Sequence, residues 1–373
     1  MIERTLQQLI APHMGKGKAI IILGARQVGK TTMLHQMFKD NQDVVWLNGD
    51  EQDVRGMFES ASSTSLRNVV GKKTIVVIDE AQRIENIGLK LKLITDNLPG
   101  VQVVATGSSS FDLANKINEP LTGRKLEYKM FPLTFAELAS HNGFMEEKRL
   151  LSSRLVYGSY PDVVVNAGEE RLTLSELADS YLYKDILMFD KVKKSDKLVK
   201  LLQTLALQIG SEVSYNELAQ TCGLDPKTID CYVTLLEQSY IIFRLGSFSR
   251  NLRNELKFAR KIYFWDCGIR NAIIGNFQIA DMRSDIGALF ENYLMAERLK
   301  KLHYEKSYAK GYFWRTTARQ EIDYIEEADG KIAAYEFKWN PRRTPSMPAS
   351  FARTYPDASF KVISRDNYED LLM

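Results

Sequence analysis

Gly24-Ala25-Arg26-Gln27-Val28-Gly29-Lys30-Thr31 satisfies the pattern G-x-x-x-x-G-K-[ST] at every fixed position. An apolar run, residues 19–23 (Ala-Ile-Ile-Ile-Leu), leads straight into it, and a helical pattern follows. The glycines let the backbone turn so that its N–H groups face a phosphate chain, with a helix N-terminus behind them. Lys30 then neutralises the outer phosphates, and the Thr31 hydroxyl reaches a magnesium ion. The stretch predicts a nucleotide site built from Gly24, Ala25, Arg26, Gln27, Val28, Gly29, Lys30, Thr31 and Thr32.

Working outward, residues 43–47, 74–78 and 101–105 are further Val- and Ile-rich runs, separated by helical patterns. Near-continuous apolar strands alternating with helices predict a parallel sheet covered on both faces. This part of the chain is α/β, with helices after Lys30 and near residues 89–97 as crossovers. The run 74–78 ends in Asp79-Glu80. A buried strand ending in two carboxylates places Asp79 beside magnesium and Glu80 beside the attacking water. The run 101–105 leads into Thr106-Gly107-Ser108-Ser109-Ser110, where a hydroxyl, taken as Ser108, senses the outer phosphate. Arg124 is a candidate for stabilising transition-state charge. The alternative for it is a surface arginine paired with a carboxylate. The guanine-reading Asn-Lys-x-Asp motif is missing, since Asn115-Lys116-Ile117-Asn118 lacks the aspartate. ATP with Mg2+ is therefore expected rather than GTP.

Composition bounds the rest. At 373 residues the chain is too long for one ordinary core, and its 45% apolar and 26% charged residues suit a globular protein. A net charge of +3 names no partner. Cys222, Cys231 and Cys267 show no CxxC spacing, and the four histidines form no zinc-type cluster. No apolar run approaches membrane-spanning length, and the first residues are not a signal peptide. A cytoplasmic location with no membrane partner is expected.

Downstream, residues 144–190 turn helical, with a Gly-Ser-Tyr-Pro break at 158–161, and residues 191–200 form a basic linker. Residues 196–209 fit an amphipathic helix. Ser214 with Glu217 makes a capping box for a helix over 214–222, Gly223 turns the chain, and Asp225 caps a third helix with Pro226 at its first position. A strand over 241–245, with Gly246 and Phe248, would complete a winged helix. Its third helix carries Lys227 against Asp225, Asp230 and Glu237, which suits packing better than DNA contact. Arg250, Arg253, Lys257, Arg260 and Lys261 form a better basic candidate, although such a run is more often a solvated face. A helix over 287–302 and strands over 312–316, 321–326 and 332–339 complete the chain.

The runs GARQVGKTT (24–32), IVVIDEAQ (75–82), ATGSSS (105–110), LTGR (121–124), FPLTFAEL (131–138) and YGSYPDVV (157–164) resemble a family of prokaryotic AAA-type P-loop ATPases. KIYFWDCGIRN (261–271) and GALFENYLMAERL (287–299) extend the likeness over nearly the whole chain. The resemblance implies an additional-strand P-loop core, a winged-helix lid and a restriction-endonuclease-like module. The expected division is 1–143 ATPase domain, 144–190 helical lid, 191–250 winged helix and 251–373 nuclease-like domain. It supports Gly24, Gly29, Lys30 and Thr31 as phosphate binders and Asp79 and Glu80 as magnesium and water residues, and leaves the role of Arg124 open.

Asp329-Gly330 is a strong hairpin signal favouring a type I′ turn. Pairing about it sets Ala328 opposite Lys331 and, further along, Asp323 opposite Glu336, with Lys338 on the same face. Facing carboxylates repel, and a divalent metal between Asp323 and Glu336 would remove the penalty. Asp…Glu-x-Lys on such a hairpin resembles the site of PD-(D/E)xK nucleases, with Glu291 as a further ligand. A nuclease-like fold kept as a binding platform and a solvated hairpin face are the alternatives. DNA and a protein are both candidate partners of this module. Self-association is required if Arg124 acts in trans.

Overall fold

A computed structural model describes residues 1–59, 62–108, 117, 121–180, 195–249, 260–316 and 318–373. They form two compact units: Met1–Leu133 with Gln238–Tyr240, and Thr134–Glu237 with Ile241–Met373.

The first unit is built on β1 (Ala19–Gly24), β2 (Val44–Asn48), β3 (Ile75–Asp79), β4 (Gln102–Gly107) and β5 (Lys125–Met130). All pairings are parallel, in the order β2-β3-β4-β1-β5. Ile20–Leu23, Val76–Ile78 and Val103–Ala105 are buried, as strands covered on both faces must be. The helices Lys30–Met37 and Ile87–Asn97 lie at the expected crossovers. β5 was not anticipated. Its Lys125, Glu127 and Lys129 alternate with Leu126, Tyr128 and Met130, the pattern of an edge strand rather than of a buried one. One topological fact decides the site: β4 separates β1 from β3, so its tip stands between the Gly24 turn and Asp79.

The second unit holds a seven-stranded sheet in the order β12-β11-β10-β9-β7-β8-β6. Its strands are β6 (Glu212–Val213), β7 (Ile242–Ser247), β8 (Arg260–Phe264), β9 (Lys310–Arg315), β10 (Glu321–Ala328), β11 (Lys331–Lys338) and β12 (Ser359–Ser364). The helices Ser195–Leu207, Tyr215–Cys222 and Pro226–Gln238 stand near their expected positions. Ser214 accepts from the Glu217 N–H, and Thr228 donates to Asp225. The boundary expected at 250 lies outside the described residues. On either side of it β7 and β9 pair in parallel, Gly246 with Tyr312 and Ser247 with Phe313, so these parts share one sheet. The boundary expected at 143 falls earlier in the packing, at Leu133/Thr134, because Phe135 joins a core with Tyr293 and Tyr368. β8 and β12 were not anticipated.

The hairpin β10–β11 has the expected register, with Ala328 opposite Lys331 and Tyr324 opposite Tyr335. Asp329 and Gly330 both have positive φ, 49° and 76°, as the turn requires. A bulge between Ile322 and Ile325, where β10 pairs with β9, interrupts the ladder beside Asp323.

The Gly158–Pro161 break is structural. A Cβ on Gly158 would lie 2.1 Å from Asp266 Oδ1, and the Ser159 N–H donates to Asp266 Oδ2 at 2.7 Å. Asp266 also caps the helix Cys267–Ile273, and Asn271 donates to the carbonyls of Leu155 and Val156. Two of the resembling runs thus hold each other inside one buried polar network.

Candidate functional site

β1 ends at Gly24, where a Cβ would lie 2.2 Å from the Met130 carbonyl oxygen of β5, so close backbone approach demands glycine. Gln27 (φ 58°) and Gly29 (φ 90°) turn the loop through left-handed conformations, and the helix begins at Lys30. Successive N–H groups in such a turn form a concave anion-binding surface. Lys30 is buried, and its Nζ donates to the carbonyls of Gly24 (3.0 Å) and Ala25 (2.8 Å). Charged phosphate oxygens are stronger acceptors for this ammonium than the loop carbonyls.

Thr31 Oγ1 donates to Asp79 Oδ2 at 2.8 Å, joining the start of the helix to the tip of β3. Thr106, fully buried on β4, donates to Asp79 Oδ1 and accepts the Glu80 N–H at 3.3 Å. Glu80 itself takes a left-handed backbone, φ 47°, a strained choice for glutamate that tends to mark functional positions. Gln82 Nε2 donates to Glu80 Oε2 at 2.5 Å and to Ser108 Oγ at 3.1 Å. Thr31, Asp79, Glu80 and Ser108 therefore lie in one hydrogen-bonded array, with Lys30 at the start of the same helix as Thr31.

Two residues of this array, and a third behind the loop, had no role assigned by the sequence reading. Thr106 is the hydroxyl that donates to Asp79. Gln82, within the run 75–82, tethers both Glu80 and Ser108. Arg4 is buried and donates at 2.6 Å to the carbonyls of both Val28 and Phe131. A trans peptide points its C=O and N–H in opposite directions, so holding the Val28 carbonyl aims the Gly29 N–H the other way. Nothing near Arg4 in sequence signals this, because the partners are distant backbone atoms. Arg4→Met is expected to raise the Mg·ATP KM about tenfold, with kcat within about threefold, the effect of losing charge-assisted hydrogen bonds behind the loop. Steady-state kinetics check this; an unchanged KM would remove Arg4 from the account.

Arg124 stands elsewhere. Parallel pairing sets Ala19 beside Lys125 and Gly24 beside Met130, so Arg124 lies at the opposite end of the sheet, about 20 Å away at strand rise. Its Nε donates to Asp96 Oδ1 at 2.7 Å on the surface, the carboxylate pairing kept as its alternative. Arg124 is thus not part of this chain's own phosphate site.

The second unit gathers the other predicted residues. Lys338 Nζ lies 2.6 Å from Glu336 Oε1 and 3.5 Å from Asp323 Oδ2, and Asp323 also accepts the Phe337 N–H at 2.8 Å. Glu291, on the helix Ile286–Tyr304, accepts from the Tyr263 hydroxyl at 2.6 Å and from Lys261 Nζ at 3.1 Å. Lys261 also pairs with Glu321 at 2.6 Å. Lys338 lies between Asp323 and Glu336 and offsets their repulsion; among the described residues no group of three or more His, Cys, Asp or Glu is placed to hold a metal ion. One expectation needs correction. Lys261, read as part of a basic run, is almost wholly buried in ion pairs, while Arg260 pairs with Asp230. Arg250, Arg253 and Lys257 lie outside the described residues.

Burial, then the Asp323 charge, pushes the Glu291 carboxyl up to about 7. Burial and Asp323 also raise Glu336. Lys338 ends above its ordinary value although burial opposes it, because Asp323 and Glu336 outweigh burial. Between the unfolded glutamate value, about 4.3, and about 7 the folded chain retains a proton that the unfolded chain releases. Stability contributed by Glu291 is therefore complete at low pH and falls as pH rises through this window. Glu291→Gln is expected to flatten the decline in thermal midpoint between pH 5 and pH 7.5 (roughly the window of these values). An identical pH slope in the variant would contradict the assignment.

Comparison with known proteins follows the division of the chain. Residues 16–139 match an AAA domain family, residues 148–280 a domain of unknown function (DUF8612) and residues 286–370 a second domain of unknown function (DUF4143). An uncharacterized protein of Methanocaldococcus jannaschii is 22% identical, over 100% of this chain and 89% of its own. One from Haemophilus influenzae is 25% identical, over 92% of this chain and 89% of its own. Among solved structures, a Walker-type ATPase of Pyrococcus abyssi superposes with TM-score 0.52 at 14% identity, covering 73% of this chain and 96% of that one. This last likeness concerns the fold. No helix among the described residues is long and apolar enough to cross a membrane.

Proposed function

We propose that the chain, whose residues 16–139 match an AAA domain family, binds Mg·ATP at the Gly24–Thr31 turn and hydrolyses it. The observation that carries this reading is the 2.8 Å hydrogen bond between Thr31 and Asp79, which brings the prospective metal ligands together from the start of the helix Lys30–Met37 and the tip of β3. These groups fit a magnesium ion, and Thr31 and Asp79 would hold it. Bound there, magnesium would neutralise charge developing on the phosphate oxygens.

The chain's own residues do the rest. The loop N–H groups, ending at Gly29, and the Lys30 ammonium bind and orient the phosphates. The Glu80 carboxylate orients the attacking water and takes its proton, while Gln82 holds the carboxylate in place. Thr106 ties the Asp79 carboxylate to the Glu80 backbone, so a shift in one is felt by the other. Ser108 accepts a hydrogen bond from the same Gln82. Purified full-length protein should release phosphate from Mg·ATP in preference to Mg·GTP. If it neither binds nor turns over Mg·ATP at millimolar concentration, the proposal fails.

The second unit is proposed as the module through which hydrolysis acts on a partner. Reading residues 191–250 as a winged helix is supported by the three helices Ser195–Leu207, Tyr215–Cys222 and Pro226–Gln238 followed by β7, which pairs antiparallel with β8. Reading the hairpin and the helix Ile286–Tyr304 as nuclease-like rests on the clustering of Glu291, Asp323, Glu336 and Lys338. A metal-dependent DNA nuclease is the alternative function, and the pairing of its carboxylates with lysines weighs against it. Arg124 takes part in catalysis only if a second copy presents it, which measuring mass in solution with a non-hydrolysable nucleotide would reveal.

A further inference from the structure

The carboxylate cluster of the second unit holds two ammonium groups, and only that of Lys338 belongs to the Glu-x-Lys pattern. The other, Lys261, comes from β8. Its side chain is 3% exposed and lies between Glu291 of the long helix (3.1 Å) and Glu321 at the start of β10 (2.6 Å). The ammonium also sits 5.5 Å from the centre of the Phe313 ring on β9. Glu291, already an acceptor for Lys261, takes a further hydrogen bond from Tyr263 on the same oxygen. We infer that Lys261, together with Lys338, is the resident cation of this cluster, standing where the carboxylates would otherwise need a divalent metal.

The reasoning is one of charge in a dry place. Buried carboxylates must be compensated, and either a metal or a lysine serves. Here each carboxylate already faces an ammonium: Glu291 and Glu321 share Lys261, and Asp323 and Glu336 share Lys338. A divalent ion entering among them would meet a buried positive charge that has no route to solvent without leaving Glu291 without its ammonium partner. The ion pairs tie β8, β10 and the long helix, which are far apart in sequence, into one unit. This makes the cluster a structural junction that does not take up a catalytic metal. The inference is independent of ATP hydrolysis.

The test uses full-length protein without nucleotide, titrated with Mn2+ and followed by electron paramagnetic resonance, in wild type, Asp323→Asn, Lys261→Met and the double variant. Wild type and Asp323→Asn should take up Mn2+ identically. Lys261→Met, which keeps length and removes charge, should gain one site, bound at least about tenfold more tightly than any in wild type and lost again on adding Asp323→Asn. An Asp323-dependent Mn2+ site in wild type, or Asp323-dependent nicking of supercoiled DNA, would overturn the inference. So would a folded Lys261→Met that gains no site. If Lys261→Met does not fold, the comparison of wild type with Asp323→Asn decides alone.

Discussion

Glu80→Gln is expected to bind Mg·ATP within about twofold of wild type and to lose turnover by about 10²–10³-fold, the scale on which removing one well-placed catalytic group acts. Geometry separates the two effects. Glutamine has the shape of glutamate, and Gln82 Nε2 can donate to its amide oxygen as it does to the carboxylate, now at 2.5 Å. The left-handed backbone at residue 80, fixed by the Thr106 contact, is retained. What disappears is the negative charge that attracts a proton from the attacking water. Equilibrium binding of a fluorescent ATP analogue, set beside single-turnover phosphate release, reads both quantities. Normal turnover in Glu80→Gln would mean that another group positions the water.

Lys30→Ala acts earlier, on binding. The expected result is a loss of ATP affinity of about 10²-fold or more, about 2.7 kcal/mol, the scale of charge-assisted hydrogen bonds to phosphate. In the folded chain the Lys30 ammonium donates to the neutral carbonyls of Gly24 and Ala25. Its removal should therefore change the thermal midpoint without nucleotide by only a few degrees, as a loss of about 1 kcal/mol would in a chain of this size. Calorimetric titration checks the affinity. An unchanged dissociation constant in a folded variant would dismiss the phosphate role of Lys30, and with it the site.

Comparing the two halves of the molecule shows where local pattern suffices. The P-loop is a continuous stretch whose chemistry depends on backbone turns, so its residue types alone specify it. The apolar strand before it and the strand ending at Asp79 were also legible, because burial on both faces writes itself as an unbroken run of Val and Ile. β5 was not, since half its residues face outward and carry charge. Lys261 was misread for a related reason. A lysine among other basic residues looks solvated, and only carboxylates supplied from residues 291 and 321 make its burial tolerable.

The chain by itself determined that an α/β sheet leads into a glycine-rich turn at residues 24–31, that Asp79 and Glu80 end a buried strand, and that Asp323, Glu336 and Lys338 share one face of a hairpin. These follow from periods and turns that act within a few residues. Tertiary structure alone decided that β4 brings Thr106 between the two halves of the nucleotide site, that Arg4 braces the loop, that Arg124 lies at the far end of the sheet, and that Lys261 enters the carboxylate cluster. Each of these depends on strand order or on contacts between distant segments. Such contacts are selected by the packing of the whole unit and leave no mark on the local sequence.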